Sequence, residues 1–212
     1  MADTPEGPGE KPPVPDKPAT PTPGAPALPS AAKPPAAAPP KPRMDPIEEA
    51  LRRPVVSPAL DALKEAFPGA VLEEVHHAGQ VTAVIPVDRI REVLRFLHDD
   101  PRTAFDLLAD LTAADYPKRD KRFEVVYHLY SLPKNHRLRL KVRVADGEPV
   151  ASATSVYNAA EWHEREVFDL FGVKFDDHPD LRRILLPDEW QGHPLRKEYP
   201  LEGFPEQHMR LR

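Results

Sequence analysis

Residues 123–131 read FEVVYHLYS and residues 137–144 read RLRLKVRV, and the fold turns on how this pair is read. Phe123, Val125, Tyr127 and Leu129 alternate with Glu124, Val126, His128 and Tyr130, while Leu138, Leu140, Val142 and Val144 alternate with Arg137, Arg139, Lys141 and Arg143. Successive side chains of a strand point to opposite faces, so the pattern predicts two strands, each with one apolar face. With Pro133-Lys134-Asn135-His136 as the turn, Leu129 is expected opposite Leu140, Tyr127 opposite Val142 and Val125 opposite Val144. The other face would then pair Tyr130 with Arg139, His128 with Lys141 and Val126 with Arg143. On an acidic domain this row of cations reads as a solvated face or a docking surface rather than a nucleic-acid stripe.

Ahead of the hairpin, Ser57-Pro58 reads as an N-cap followed by a helix carrying Leu60, Leu63 and Phe67, stopped at Pro68-Gly69. Asp45-Pro46 with Glu48 predicts a shorter helix to Arg52. Strands are expected over 70–77 and 80–86, joined near Ala78-Gly79, then a helix over 88–98 with Ile90, Val93, Leu94 and Leu97 as one stripe. A further helix is expected from Thr103 to about Ala113. After the hairpin, a short strand over 150–156 leads to a last helix. Together these predict an α+β two-layer sandwich, a mixed sheet of about five strands with helices on one face.

In the last helix Asn158 reads as the N-cap, Glu161 as its capping-box partner, Tyr157 and Trp162 as a hydrophobic staple, and Gly172 as the C-terminal stop. Ala160, Val167, Phe168, Leu170 and Phe171 form its apolar arc, and Glu161, Arg165 and Asp169 line the opposite face as i,i+4 charge pairs. Glu164 breaks this pattern, because a carboxylate within an apolar arc needs a cation or several donors. Trp162 on the polar side reads as an interface anchor. His163-Glu164 would need a histidine at 167 to make a zinc-protease helix, and Val167 stands there.

Beyond Phe171 the chain is broken by Pro179, Pro187, Pro194, Pro200 and Pro205, yet carries Phe175, Leu181, Ile184, Leu185, Leu186, Trp190, Leu195, Tyr199, Leu201 and Phe204. A structureless segment of that length is functional or disordered, and this composition is wrong for disorder. It is expected to be an extended strap that covers a partner, with Arg182-Arg183 and Arg196-Lys197 available for carboxylates there or for Glu164.

At the other end, 16 of the 29 prolines fall within residues 1–46. A segment so poor in large apolar residues cannot offset the ~1–2 kcal/mol per residue that backbone ordering costs. Three regions follow: a disordered Pro/Ala-rich arm (1–44), an α+β core (45–171) and a partner-binding strap (172–212). Over residues 1–46 the charges balance, so the formal −5 belongs to residues 47–212 and argues against a nucleic-acid binder. With no Cys in 212 residues, disulfides, Cys-ligated clusters and cysteine nucleophiles are excluded. No Gly-x-Ser-x-Gly or phosphate-cradling loop occurs, and no apolar run approaches the ~20 residues of a membrane span. The start, Met1-Ala2-Asp3-Thr4-Pro5, lacks the basic and apolar regions of a signal peptide.

Three runs resemble a known signature: residues 164–172 (EREVFDLFG), 178–185 (HPDLRRIL) and 192–200 (GHPLRKEYP), with FDLLADL at 105–111, DYP at 115–117 and FEVVY at 123–127 in support. They look like the thirty-kilodalton subunit family of respiratory complex I, over roughly residues 58–203. The resemblance implies a redox-silent subunit in the peripheral arm of a proton-translocating NADH–quinone oxidoreductase, on the cytoplasmic side of a bacterial membrane. FMN, iron–sulfur clusters and quinone are then expected in partner subunits, with none in this chain. The expected partners are the hydrogenase-large-subunit-like quinone-site subunit and iron–sulfur subunits, and the membrane is reached only through them. Candidate partner-binding residues are Trp162, Glu164, Arg165, Glu166, Asp169, Phe171, His178, Arg182, Arg183, Trp190, His193, Arg196, Lys197 and Tyr199. Two alternatives stand beside this reading: a homologous subunit in a coenzyme-F420-, ferredoxin- or hydrogenase-linked complex, and a metalloenzyme using His163, His178 and His193.

Overall fold

The computed structural model describes Glu48 and residues 51–204 of the chain. The expectation for the arm, most of the helix expected from Asp45 and the last eight residues of the strap lie outside them. Within that range, α1 (Pro58–Ala66) is capped as expected, with the Ser57 side chain accepting the Leu60 N–H and Pro58 opening the helix. β1 (Glu73–His77) and β2 (Gln80–Ile85) form the first hairpin, and a 3-10 turn leads into α2 (Ile90–Asp99). β3 (Leu107–Asp115), β4 (Phe123–Ser131) and β5 (His136–Val144) follow, then β6 (Val150–Ala151), α3 (Ala160–Phe171) and β7 (Phe175–Asp176).

The main sheet has the order β1-β2-β5-β4-β3, and only its β2–β5 pair is parallel. Phe123, Val125, Tyr127 and Leu129 share one core with Leu138, Leu140, Val142 and Val144, with Leu60 and Leu63 of α1, with Ile90, Val93, Leu94 and Leu97 of α2, and with Val167 and Phe171 of α3. Helices α1, α2 and α3 therefore cover the same face, giving the α+β arrangement with a mixed five-stranded sheet. Each fully buried Leu or Val in this core contributes about 1.5–3 kcal/mol relative to exposure.

The fifth strand is not the one expected. Residues 107–115 form the edge strand β3 instead of a helix, and the short β6 pairs with β7 in a separate two-stranded sheet. The cause lies in the β3–β4 register, which shifts between Leu108 and Asp110. A bulge adds one residue, so the inward-facing Leu108 and Leu111 stand three apart and imitate a helical stripe. Beyond it, Leu111, Ala113 and Asp115 resume strict alternation into the core.

The hairpin register also differs, by two residues. Leu129 pairs with Leu138, Tyr127 with Leu140, Val125 with Val142 and Phe123 with Val144; on the other face Tyr130 pairs with Arg137, His128 with Arg139 and Val126 with Lys141. Ser131 and His136 form the last pair, so the loop is Leu132 to Asn135. Its ends are pinched by side chains: Ser131 Oγ accepts the Lys134 N–H, Tyr130 Oη donates to Asn135 Oδ1 at 2.7 Å, and Asn135 takes φ +48°. A shift of two preserves both faces, which is why the core is nonetheless the one expected.

The cap of α3 is likewise different. Ala159 occupies the N-cap without a side-chain bond, and Asn158 lies exposed outside it. Tyr157 does not staple to Trp162; its ring is buried beside His98, and its hydroxyl donates to the Phe105 carbonyl at 2.8 Å. Gly172 ends α3 in the left-handed conformation, φ +78°.

Candidate docking surface on the last helix and the strap

The polar face of α3 is only partly solvated. Arg165 and Asp169 are buried, at 7% and 0% exposure, because the chain after Gly172 folds back over them. Asp169 is the hub. One carboxylate oxygen accepts Arg183 Nη1–H at 2.6 Å, and the other accepts the backbone N–H groups of Ile184, Leu185 and Leu186 at 2.9–3.1 Å. Burial alone would raise its pKa, but the Leu186 N–H, the Arg183 guanidinium and the other two amides outweigh that and hold it below the usual value. Arg165 donates to the carbonyls of Arg182 and Arg183 and lies 5.3 Å from the Trp162 ring. These two residues do not form the expected pairs along the helix; each spends its charge on the strap.

The strap then turns on Arg183, whose other nitrogen donates to the carbonyls of Trp190 and Gly192. His193 Nδ1 meets the Asp169 carbonyl at 2.8 Å, so it donates from that atom. Arg196 donates to the Phe171 carbonyl and clamps both oxygens of Asp146 at 2.9 Å. A Cβ at Gly172 would stand 2.7 Å from His193 and 2.8 Å from Arg196, so glycine is required here for close approach as well as for its φ.

Farther on, Asp115 at the end of β3 accepts the Lys197 N–H at 2.7 Å and forms a two-pronged pair with Arg122, which also reaches Glu198. The Arg122 contact first, and the Lys197 amide with it, keep the Asp115 carboxyl below its ordinary value. Arg122 and Asp146 do not stand out in the sequence, and Asp115 enters only as the start of the DYP run. The available signal is a carboxylate continuing the inward alternation of a strand, seven residues ahead of an arginine.

Glu164 is fully buried on the core side of α3, as expected, but its partners are not the tail cations. It accepts Ser152 Oγ–H at 2.7 Å and the Ala153 N–H at 2.6 Å, both from the loop after β6. Burial pushes its pKa up to about 7, against the opposing pull of those two donors and of the Arg91 charge. Arg182 instead pairs with Asp180 at the surface, at 2.8 Å.

The remaining candidates fall into two groups. Phe171 is buried in the core and His178 meets the Glu161 carbonyl at 3.1 Å, so both are structural. Trp162, Glu166 and Lys197 are exposed, while Trp190 and Tyr199 are half-buried, Tyr199 edge-on to Phe204 at 5.3 Å. Among the large apolar residues left exposed on α3 and the strap are Trp162, Leu185, Leu195, Leu201 and Phe204, Trp162 at 58% and Leu185 at 60%. His163, His178 and His193 are committed separately, to Asp110 at 3.9 Å and to two different backbone carbonyls. Among the described residues no group of three or more His, Asp or Glu is placed to hold a metal.

The respiratory-chain NADH dehydrogenase 30 Kd subunit family model matches residues 83–205, from β2 through the strap. A NADH-quinone oxidoreductase subunit of Methylobacterium sp. (strain 4-46) is 48% identical over 146 residues, 69% of this chain and 68% of that protein. The same-named proteins of Caulobacter sp. (strain K31) and Citrifermentans bemidjiense are each 47% identical, over 72% and 68% of this chain and 73% and 89% of their own lengths. The fold, its strap and these relatives together place the chain in the respiratory-chain NADH dehydrogenase 30 Kd subunit family.

Proposed function

We propose that the chain is a structural subunit of the peripheral arm of a proton-translocating NADH–quinone oxidoreductase, contributing no redox centre of its own. Its relatives are named as subunits of NADH-quinone oxidoreductase, and a chain without cysteine has no thiolates with which to ligate an iron–sulfur cluster. FMN, the clusters and the quinone belong to partner subunits in this reading, and electrons pass there from NADH to quinone. No helix among the described residues is long and apolar enough to cross a membrane, so attachment to the cytoplasmic face of a bacterial membrane runs through partners.

One observation carries the mechanical part of the reading. The buried Arg165 and Asp169 of α3 are bonded to the strap, while Trp162, Leu185, Leu195 and Leu201 remain exposed. A buried ionic clasp that fixes a ribbon with apolar side chains still facing outward supports a surface prepared for another protein. The quinone-site subunit is the partner we assign to it, with the iron–sulfur subunits beside it.

A tagged full-length chain purified from native membranes tests this. Recovery of the quinone-site and iron–sulfur subunits with NADH–quinone reductase activity is the expected result. Recovery of a lone chain, or of an assembly oxidising a different donor, would contradict it.

A further inference from the structure

The face of the main sheet opposite the helices carries a second, different surface. Its residues follow from the register: Gln80, Thr82 and Val84 on β2, Arg139, Lys141 and Arg143 on β5, Glu124, Val126, His128 and Tyr130 on β4, with Leu107 and Asp110 on β3. Val84 and Val126 are nearly inaccessible on this face, although the described helices lie on the other. The stems of the long β5 cations run across this side, where such side chains shield apolar atoms while keeping their charges in water.

The cations divide into two sets. Glu124, buried between strands, takes Lys141 at 2.6 Å, Arg143 at 3.2 Å and Arg119 at 3.5 Å, and Arg143 also reaches Glu73. Arg137 and Arg139 have no carboxylate within ion-pair distance among the described residues. Arg139 is held by Gln80 Oε1 at 2.7 Å, and Arg137 lies 5.5 Å from the Tyr130 ring. Both line a groove of about 510 Å³ whose walls include Leu107, Tyr130, His128 and Asp110. Burial, and next the Arg139 charge, keep His128 below the usual imidazole pKa, so the imidazole adds no positive charge of its own at neutral pH.

We propose that this groove binds an extended acidic segment of a neighbouring subunit, with carboxylates on Arg137 and Arg139 and an apolar side chain against Leu107 and Tyr130. The inference rests on the reading of the chain as a subunit of a larger complex. Strand geometry sets the occupant. Arg137 and Arg139 project two residues apart, about 6.8 Å, which is also the spacing of alternate side chains on an extended peptide. Nucleic acid fits less well, because Glu124, Glu73 and Asp110 interrupt the cationic row and the chain carries a formal −5. Two guanidiniums without acidic partners beside an apolar wall are complementary to an acidic, partly apolar strand.

The test places a photo-reactive phenylalanine analogue at Leu107 in the tagged full-length chain, cross-links the assembled complex and maps the adduct by mass spectrometry. The expected adduct is a segment of another subunit with Asp or Glu at alternate positions. Arg137→Glu with Arg139→Glu should lower its yield about tenfold, a factor equivalent to about 1.4 kcal/mol of binding, while the isolated variant melts as the parent chain does. Neither side chain is bound to buried Glu124, so the ion pairs of Glu124 with Lys141, Arg143 and Arg119 are left intact. If the other subunits are recovered but the adduct is lipid, nucleic acid, this chain's own N-terminal arm or absent, the groove proposal falls and the assignment to the complex stands. If none of the other subunits is recovered, the assignment itself falls, and the groove proposal with it.

Discussion

Asp169→Ala is expected to release the strap from the domain while the sheet and helices stay folded. The carboxylate satisfies Arg183 and three consecutive amides, so its loss leaves a half-buried guanidinium and three N–H groups without their acceptor. Removing one member of a buried ion pair costs about 3–5 kcal/mol. That loss should appear as a matching fall in the free energy of opening at the Ile184–Leu186 amides, read by hydrogen exchange in the isolated chain. Asn at 169 keeps a neutral acceptor and should lose less. The same contact fixes an acid limit. Because the folded-state pKa of Asp169 is lowered, its stabilisation is present above the unfolded value of about 3.9 and disappears as pH falls through the folded value. Unchanged exchange in Asp169→Ala would remove the clasp from the account.

Glu164 gives the second large effect, with the opposite sign. Its folded pKa of about 7 lies above the unfolded value near 4.5, so the folded state holds the extra proton between those two pH values. Stability from this group therefore falls as pH rises through that window and is flat above it. Glu164→Gln keeps an acceptor for the Ala153 N–H, can donate its amide N–H to the Ser152 hydroxyl oxygen, and cannot ionise. Relative to the Gln variant, the parent chain should lose about 2–3 kcal/mol between pH 5 and pH 8 in parallel denaturant titrations. Taking the difference matters, because His128 and His193 have lowered pKa values and make stability rise with pH up to about 6.5 in both proteins. A constant gap across that range would show that the carboxylate is not held protonated.

What is legible in the sequence is what depends on near neighbours. The β4–β5 faces, the Ser57 cap, the stripe of α2 and the Gly172 stop all rest on patterns a few residues long, and they stand in the structure. Residues 107–115 mislead because one bulge residue converts a period of two into a spacing of three at Leu108 and Leu111. Arg165 and Asp169 look solvent-facing because a helical wheel cannot register a segment returning from 14 to 24 residues later. The burial of Glu164 follows from its place in the apolar arc, but its need for partners is met by a hydroxyl and an amide instead of the cations of the strap. Neutral donors of that kind leave no charge pattern to find. The family signature runs through Asp169 and Arg183 without showing that these two tie the strap to its own domain.

That last point can be measured by comparing hydrogen exchange in the isolated chain with exchange in the purified complex. The account predicts that the amides of Ile184, Leu185 and Leu186 are protected in both, as is that of Lys197 on Asp115, whereas those of residues 201–204 at the exposed end of the strap slow further on assembly. Free-peptide exchange at 184–186 in the isolated chain, or unchanged exchange at 201–204 in the complex, would contradict a strap folded in advance for a partner protein.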